Sequence, residues 1–484
     1  SWKQGTGRGP ERVVVSFPRS KMFTIPDLMR SWVLAACVLS SVLTGCVGAQ
    51  SSDREMLIAA LDAAARDHVE SESVPGISVA VVQHGATLLM KGYGYVDIEW
   101  GVPTPPDASY EIGSITKQFT AVAALLLAEE GRLDLDADLT DYLDFDTQGY
   151  SVPVRRLLDH TSGIKGYTEM PIFGELRTSK LPRDTLVRMV ENEPFEFEPG
   201  TALIYNNSAY FLLGLIIEEV SGESYEDFIE RRLFDASEMN DSYYCSETAV
   251  RTNRAHGYDV PEPNRVIRKR YIDHTWPYAA GSLCSTTSDL VAWNQALHGG
   301  ELLSAASYSA MTTPAPLEDG TKVRYAMGLV VAEQGGHQVI AHGGGINGFT
   351  SDGRYYPDDD LIIVVLQNST GAPGPGALGQ ALAQTVLGDF EDTAAAPFGG
   401  DLEELTGSYV GPARGTELSV IASVNNGRLE LKMDQASKFE PDYRGDLTWN
   451  RGSQEFTFIR KGERIAELRF DSMSGHYVLR RNGL

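Results

Sequence analysis

Two sets of strand-like segments stand far apart in this 484-residue chain, with a long helical stretch between them. GISVAVVQHG (76–85) and ATLLMKGYGYVD (86–97) are rich in β-branched residues and break at Gly85, which predicts a hairpin. YAMGLVVAE, HQVIAHG, FTSDGRYY and LIIVVLQNS, all within 325–369, predict a run of strands joined by glycine turns. From about 135 to 300 the pattern is mostly helix and loop. A chain that lays down strands, then helices, then strands again brings its two ends into one sheet. The fold class that follows is α/β: a sheet covered by helices, with a second, helical lobe.

Three helices are marked locally. From Met56 to Arg66, Leu57, Leu61 and Ala64 share one face. After Gly113, an apolar stripe of Ile115, Phe119, Val122, Ala123, Leu126 and Leu127 predicts an amphipathic helix that stops at Gly131. TALIYNNSAYFLLGLIIEEVSG (201–222) predicts an irregular start and then a helix ended by Gly222.

Small, turn-forming residues at 393–401 (TAAAPFGGD) read as a linker between a domain over 50–392 and one over 402–484. The latter holds short alternating segments, ELSVIASV, RLELKMD, FTFIRKG and HYVLRRN, spaced by turns. They predict a separate, barrel-like all-β domain with a core of its own.

The N-terminal region predicts export. Met29 and Arg30 precede an apolar run from Trp32 to Leu43, the pattern of a secretory signal over 29–49. A membrane span needs roughly 20 apolar residues, and this run is shorter. It ends in Leu43-Thr44-Gly45-Cys46, which resembles the lipobox of bacterial lipoproteins, with Cys46 as the lipidated residue. Cleavage after Val47-Gly48-Ala49 is the alternative. Residues 1–28 show no periodicity and are expected to be upstream sequence. The expected location is the periplasm or the outer membrane, with the membrane touched only through the lipid.

A net charge of −25 argues against nucleic acid, which demands basic patches. The one basic cluster, Arg265, Arg268, Lys269 and Arg270, is expected to be a solvated loop. Cys245 and Cys284 could pair in an oxidising compartment, but two separate buried thiols are the favoured reading, because spacing along a chain does not give a distance. No C-x-x-C or H-x-x-x-H spacing suggests a metal site, and no cofactor is expected.

The chemistry enters at GSITKQF (113–119). Residues three apart on a helix lie on one face, close enough to touch. A serine at a helix start is ordinarily a cap, and a lysine ordinarily solvated. Lys117, however, sits at the end of the dipole that repels a cation, between apolar Ile115 and Phe119. A lysine held there loses affinity for its proton and can activate Ser114 as a nucleophile. The same helix start offers backbone N–H groups to an oxyanion. The spacing alone is weak: Ser162-Gly163-Ile164-Lys165 repeats it, but Gly163, Gly166 and Pro171 leave no helix to hold Lys165 against Ser162.

Two more stretches add to the pair. Tyr205-Asn206-Asn207 precedes a helix, and His342-Gly343-Gly344-Gly345 lies between strands. Ser-x-x-Lys, Tyr-x-Asn and His-x-Gly in that order resemble the serine β-lactamase and penicillin-binding-protein family. The branch it is most similar to holds class C β-lactamases, D-aminopeptidases and related carboxylesterases. LLDHTSGI (157–164), FEPGTALIYNNSAYFLLG (197–214), GSLCSTTSDLVAW (281–293) and HGGGINGFTS (342–351) extend the resemblance over roughly 55–390. The C-terminal domain resembles the lipocalin-like domain that some of these hydrolases carry.

The resemblance implies an acyl-enzyme on Ser114, with Lys117 and Tyr205 sharing the proton traffic. It implies backbone N–H groups of Ser114 and Gly345 around the oxyanion, and Asn207, His342, Gly343 and Gly344 toward substrate or the Lys–Tyr pair. Where dedicated β-lactamases carry Lys-Thr-Gly, this chain has His342-Gly343-Gly344, a weaker and pH-dependent anion site. The expected activity is therefore an exported serine hydrolase for small esters or D-amino-acid amides and peptides, with β-lactams as side substrates. The competing expectation is a lipoprotein that binds cell-wall peptides without turnover.

Overall fold

The computed structural model describes residues 52–70, 73–263, 265–390, 397–434, 436–472 and 475–483. Ser1–Met56 forms one unit, of which only the helical residues 52–56 are described. The signal segment, the lipobox with Cys46 and residues 393–396 of the linker lie outside the described residues. Leu57–Leu484 forms the other unit. Among the described residues no helix is long and apolar enough to cross a membrane.

The two ends of the helical stretch do share a sheet. Its seven strands run in the order Val330–Gln334, His337–Ile346, Phe349–Tyr356, Leu361–Gln367, Gly76–Gln83, Ala86–Asp97 and Val102–Pro103, with every neighbour antiparallel. Closure comes where Leu361–Gln367 pairs with Gly76–Gln83, in a register that sets Val79 opposite Val365. The first hairpin turns at His84 and Gly85, both at positive φ (49° and 70°), the turn whose twist matches that of its strands.

Side-chain alternation sorts the central strands into two cores. Val79, Val81, Ile363 and Val365 pack against Leu61 and Ala65 of the first helix and Leu378 and Leu382 of the helix Pro375–Leu387. Ala80, Val82, Val364 and Leu366 face the opposite way, into the larger core with Phe119 and Val122. Each fully buried valine, isoleucine or leucine contributes about 1.5–3 kcal/mol.

The helix Thr116–Glu129 differs from the amphipathic expectation. Every residue from Thr116 to Leu125 is buried, because the helical lobe covers the face that the stripe leaves over. Its sequence carries the reason: after Lys117 no charge follows until Glu129. The helix Asn207–Ser221 begins with Asn206, whose side chain accepts from the Ala209 N–H, and ends at Gly222 with φ 73°.

Cys245 and Cys284 are bonded, with Cα atoms 5.2 Å apart, contrary to the expectation of two thiols. Strand pairing supplies the proximity that spacing could not. Leu283–Ser285 lies between Tyr110–Glu111 and Tyr243–Tyr244 in a small sheet, so the bridge braces the strand that leads into Ser114.

The C-terminal strands form a curled half-barrel sheet. Its core gathers Tyr409, Val420, Leu431, Trp449, Phe456 and Leu479. Ile204, from the stretch just before Asn207, packs into the same core. Gly475 and His476 pair with Ile204 and Leu203 as neighbouring strands. Alternation marks a sheet with an inner face, but it carries no information about what its edges pair with.

Candidate active site

Ser114 lies in the single 3₁₀ turn Gly113–Ile115 that feeds directly into the helix Thr116–Glu129. It caps neither element, which removes the ordinary structural reason for a serine there. Gly113 has φ +52°, and a Cβ on it would lie 2.8 Å from the Gly345 nitrogen. A Cβ on Gly344 would meet the Ile112 carbonyl oxygen at 2.0 Å. Glycines on both sides thus let the strand His337–Ile346 lie against the turn that carries Ser114. The Ser351 hydroxyl, one strand over, donates to the Ile112 oxygen at 2.8 Å and ties the sheet to the turn. Ser114 and Gly345 border one cleft of about 670 Å³.

Lys117 is fully buried. Its Nζ lies 3.2 Å from Ser114 Oγ, 2.8 Å from Asn207 Oδ1 and 2.8 Å from the Ala280 carbonyl oxygen. Burial pushes its pKa well below the usual lysine value, and the Arg414 charge pushes the same way. A neutral amine has two protons and one lone pair. As an ammonium, Lys117 donates to all three oxygens; in the neutral form the two carbonyl oxygens can take the protons and leave the lone pair for the Ser114 O–H.

Tyr205 follows the strand Leu203–Ile204 and stands over this amine, with its ring centroid 4.7 Å from Lys117 Nζ. Burial raises its pKa, while the Ser114 hydroxyl and the Arg414 charge hold it down. Burial thus acts in opposite senses on the two groups: it favours the neutral amine of Lys117 and the neutral phenol of Tyr205.

His342 is placed differently from the expectation of a substrate-facing anion site. It is buried and does not border the cleft. Its Nδ1–H donates to the Gly343 oxygen at 2.5 Å, so Nε2 accepts from the Tyr325 hydroxyl at 3.0 Å. Burial, then the Lys117 charge, lower its pKa to about 3. The imidazole sits behind Tyr205, with ring centroids 6.0 Å apart. The strand turns it inward, which no local pattern reveals. Gly343 follows it without a clash, and Gly345 alone of the three glycines borders the cleft.

Buried neutral histidines carry a stability consequence. His160 is packed against Tyr205, Tyr210 and Tyr325, and its pKa is driven well below the usual value, first by burial. Below about pH 6.5 the unfolded chain binds protons that native His160 and His342 refuse, so stability falls as pH drops toward about 3. Asp159 and Glu196, whose pKa values burial raises, act in the opposite sense. The comparison that isolates the effect is the urea midpoint from pH 7.5 to 4.5. The His342→Gln protein should lose less of its midpoint over that range than the wild type.

The second Ser-x-x-Lys is no such pair. Ser162 is buried, and Lys165 forms an ion pair with Glu196 at 2.8 Å. The basic cluster also departs from the expected solvated loop. Arg265–Arg268 is a strand paired with Tyr258–Glu262, and Arg265 and Arg270 border the cleft. Lys269 reaches the buried carboxylate of Glu111, which Arg254 also approaches at 3.3 Å. Glu111, Glu247 and His274 come within metal-binding distance of one another, but Lys269 pairs with both carboxylates and already supplies the positive charge.

The residues that sequence reasoning missed arrive from distant segments. The Ala280 carbonyl lies in the turn Tyr278–Ala280, Tyr325 in a loop, and Arg414 in the C-terminal sheet. Only Tyr325 had a signal, as the start of the YAMG segment.

A protein-family model described as Beta-lactamase matches residues 61–387. A penicillin-binding protein of Bacillus subtilis (strain 168) is 30% identical over 314 residues, which cover 60% of this chain and 67% of that protein. The solved structure of an octameric penicillin-binding protein homologue from Pyrococcus abyssi matches with a TM-score of 0.61 at 26% identity, over 85% of this chain and 97% of the other. A D-stereospecific amidohydrolase from Streptomyces sp. matches with a TM-score of 0.60 at 27% identity, over 68% of this chain and 99% of the other.

Proposed function

Because the chain belongs to the Beta-lactamase family, we propose that it is an exported serine hydrolase that cleaves small amides or esters through an acyl-enzyme on Ser114. The observation that carries this reading is the Lys117 amine, buried and 3.2 Å from the Ser114 hydroxyl, with both of its remaining partners neutral oxygens. Among the described residues no carboxylate bonds to it, and burial outweighs the pull of the Glu169 charge, which supports the amine as the base. It takes the Ser114 proton as Oγ attacks the carbonyl. The backbone N–H groups of Ser114 and Gly345 receive the oxyanion. Tyr205, whose ring stands beside the amine, passes the proton to the leaving group; the same pair then takes a proton from water as its oxygen adds to the acyl carbon, which frees the acid and restores Ser114.

Among substrates, D-amino-acid amides and short esters lead. The likeness to a D-stereospecific amidohydrolase supports the former. A neutral His342 in place of a lysine argues against a dedicated β-lactamase. The Cys245–Cys284 bridge suits an oxidising compartment and supports export, with Cys46 as the lipid-bearing residue.

The test is a panel of D-amino-acid p-nitroanilides, p-nitrophenyl esters of short acids and a chromogenic cephalosporin. Steady release well beyond one equivalent per protein is expected for the first two classes. A burst of one equivalent followed by nothing would mark a non-hydrolytic binder of cell-wall peptides.

A further inference from the structure

We propose that Arg414, delivered by the C-terminal sheet, is the anion receptor of the cleft. On this account the enzyme takes amides or esters that carry a carboxylate close to the scissile carbonyl. The inference rests on the serine-hydrolase reading and adds the chemistry of the substrate.

Arg414 and Gly415 form the tip of the hairpin between the strands Gly407–Ala413 and Thr416–Asn425. Gly415 has φ +72°, and a Cβ on it would lie 2.4 Å from Glu169 Cβ. The tip is thus pressed against the 3₁₀ turn Tyr167–Glu169, where only glycine fits.

There Arg414 Nε donates to Glu169 Oε1 at 2.6 Å, and Nη2 lies 3.4 Å from Thr168 Oγ1. The guanidinium carbon stands 5.3 Å from the centre of the Tyr205 ring, and the side chain borders the same cleft as Ser114. Glu169 fixes one edge of the guanidinium. Nη1 has no hydrogen-bond partner among the described residues, so the other edge is presented, already oriented, for a bidentate carboxylate.

Charge around the cleft agrees. The chain carries a net charge of −25, yet among the described residues the charged side chains bordering the cleft are Arg265, Arg270 and Arg414 against Asp259. Asp259 is itself paired with Arg270 at 3.3 Å. His342, the residue at the position where an anion-binding lysine would stand, is buried against Tyr325 and cannot serve.

The experiment compares three esters on the full chain. p-Nitrophenyl acetate is neutral, p-nitrophenyl hydrogen succinate carries its carboxylate on the acyl side, and 3-carboxyphenyl acetate carries it on the leaving group. The wild type should prefer one carboxylate ester over the neutral one in kcat/KM, and which one tells the side that Arg414 reads. Arg414→Gln should cut that preference roughly ten- to a hundredfold, the worth of one charged hydrogen-bonded contact. Arg414→Lys should retain part of it, and Gly415→Ala, which keeps the charge but displaces the tip, should lower it. An equal fall for all three esters in Arg414→Gln would overturn the proposal, as would a wild type with no preference. A wild type that hydrolyses none of them would instead overturn the underlying hydrolase reading.

Discussion

In a Ser114→Ala protein no acyl adduct forms, and turnover falls by at least about 10⁴-fold, the scale at which a covalent nucleophile is lost. The size of the effect follows from geometry. Ser114 is the hydroxyl 3.2 Å from the buried amine, just before the helix Thr116–Glu129 and bordering the cleft. No substitute is at hand: Ser162 is buried, and its nearby Lys165 is committed to Glu196. Folding should be untouched, because Ser114 makes no capping bond. Intact mass after treatment with a fluorophosphonate should show one adduct on the wild type and none on the variant. A retained adduct, mapped to Ser162 or elsewhere, would sink the assignment.

Lys117→Met should lose about 10²–10⁴-fold in acylation, the range for a proton-transfer group. Methionine nearly fills the volume but offers neither a lone pair nor donors, so Asn207 Oδ1 and the Ala280 oxygen each lose a partner. That variant should also be somewhat less stable, and its circular dichroism must be checked beside its rate. Tyr205→Phe removes the relay while leaving the base, and should cost about 10²-fold. The pH profile distinguishes the two groups. With Lys117 as the base, the wild-type rate should rise with pH through a lysine pKa that burial depresses. Near wild-type rates in either variant would remove that residue from the mechanism.

Much of this was legible because the relevant signals are local. The Ser114–Lys117 contact is a property of one helical turn, and strand periodicity is enough to place both ends of the chain in one sheet. The order of Ser-x-x-Lys, Tyr-x-Asn and His-x-Gly then carries the family. What could not be read depends on distances between remote segments. The Cys245–Cys284 bond needs the strand Leu283–Ser285 to lie beside Tyr243–Tyr244. Lys269 looks solvated until Glu111 and Glu247 are brought to it. The charge state of His342 is set by burial and by Tyr325, so its residue type suggested an anion site that its surroundings deny. Arg414 had no signal, because its role requires the hairpin tip to meet Thr168 and Glu169.

The pairing of Leu203 and Ile204 with His476 and Gly475 sets a timetable. A ribosome that has reached residue 390 has already made Ser114, Lys117, Tyr205, His342 and Gly345. The nascent chain still lacks the strand that flanks the two residues just before Tyr205, and it lacks Arg414. Until positions 475 and 476 have been made, that stretch has its bond from the Ile204 N–H to the His160 oxygen but lacks its neighbouring strand. Synthesis order thereby sets assembly order: Ser114 and Lys117 are made well before the strand that flanks the approach to Tyr205.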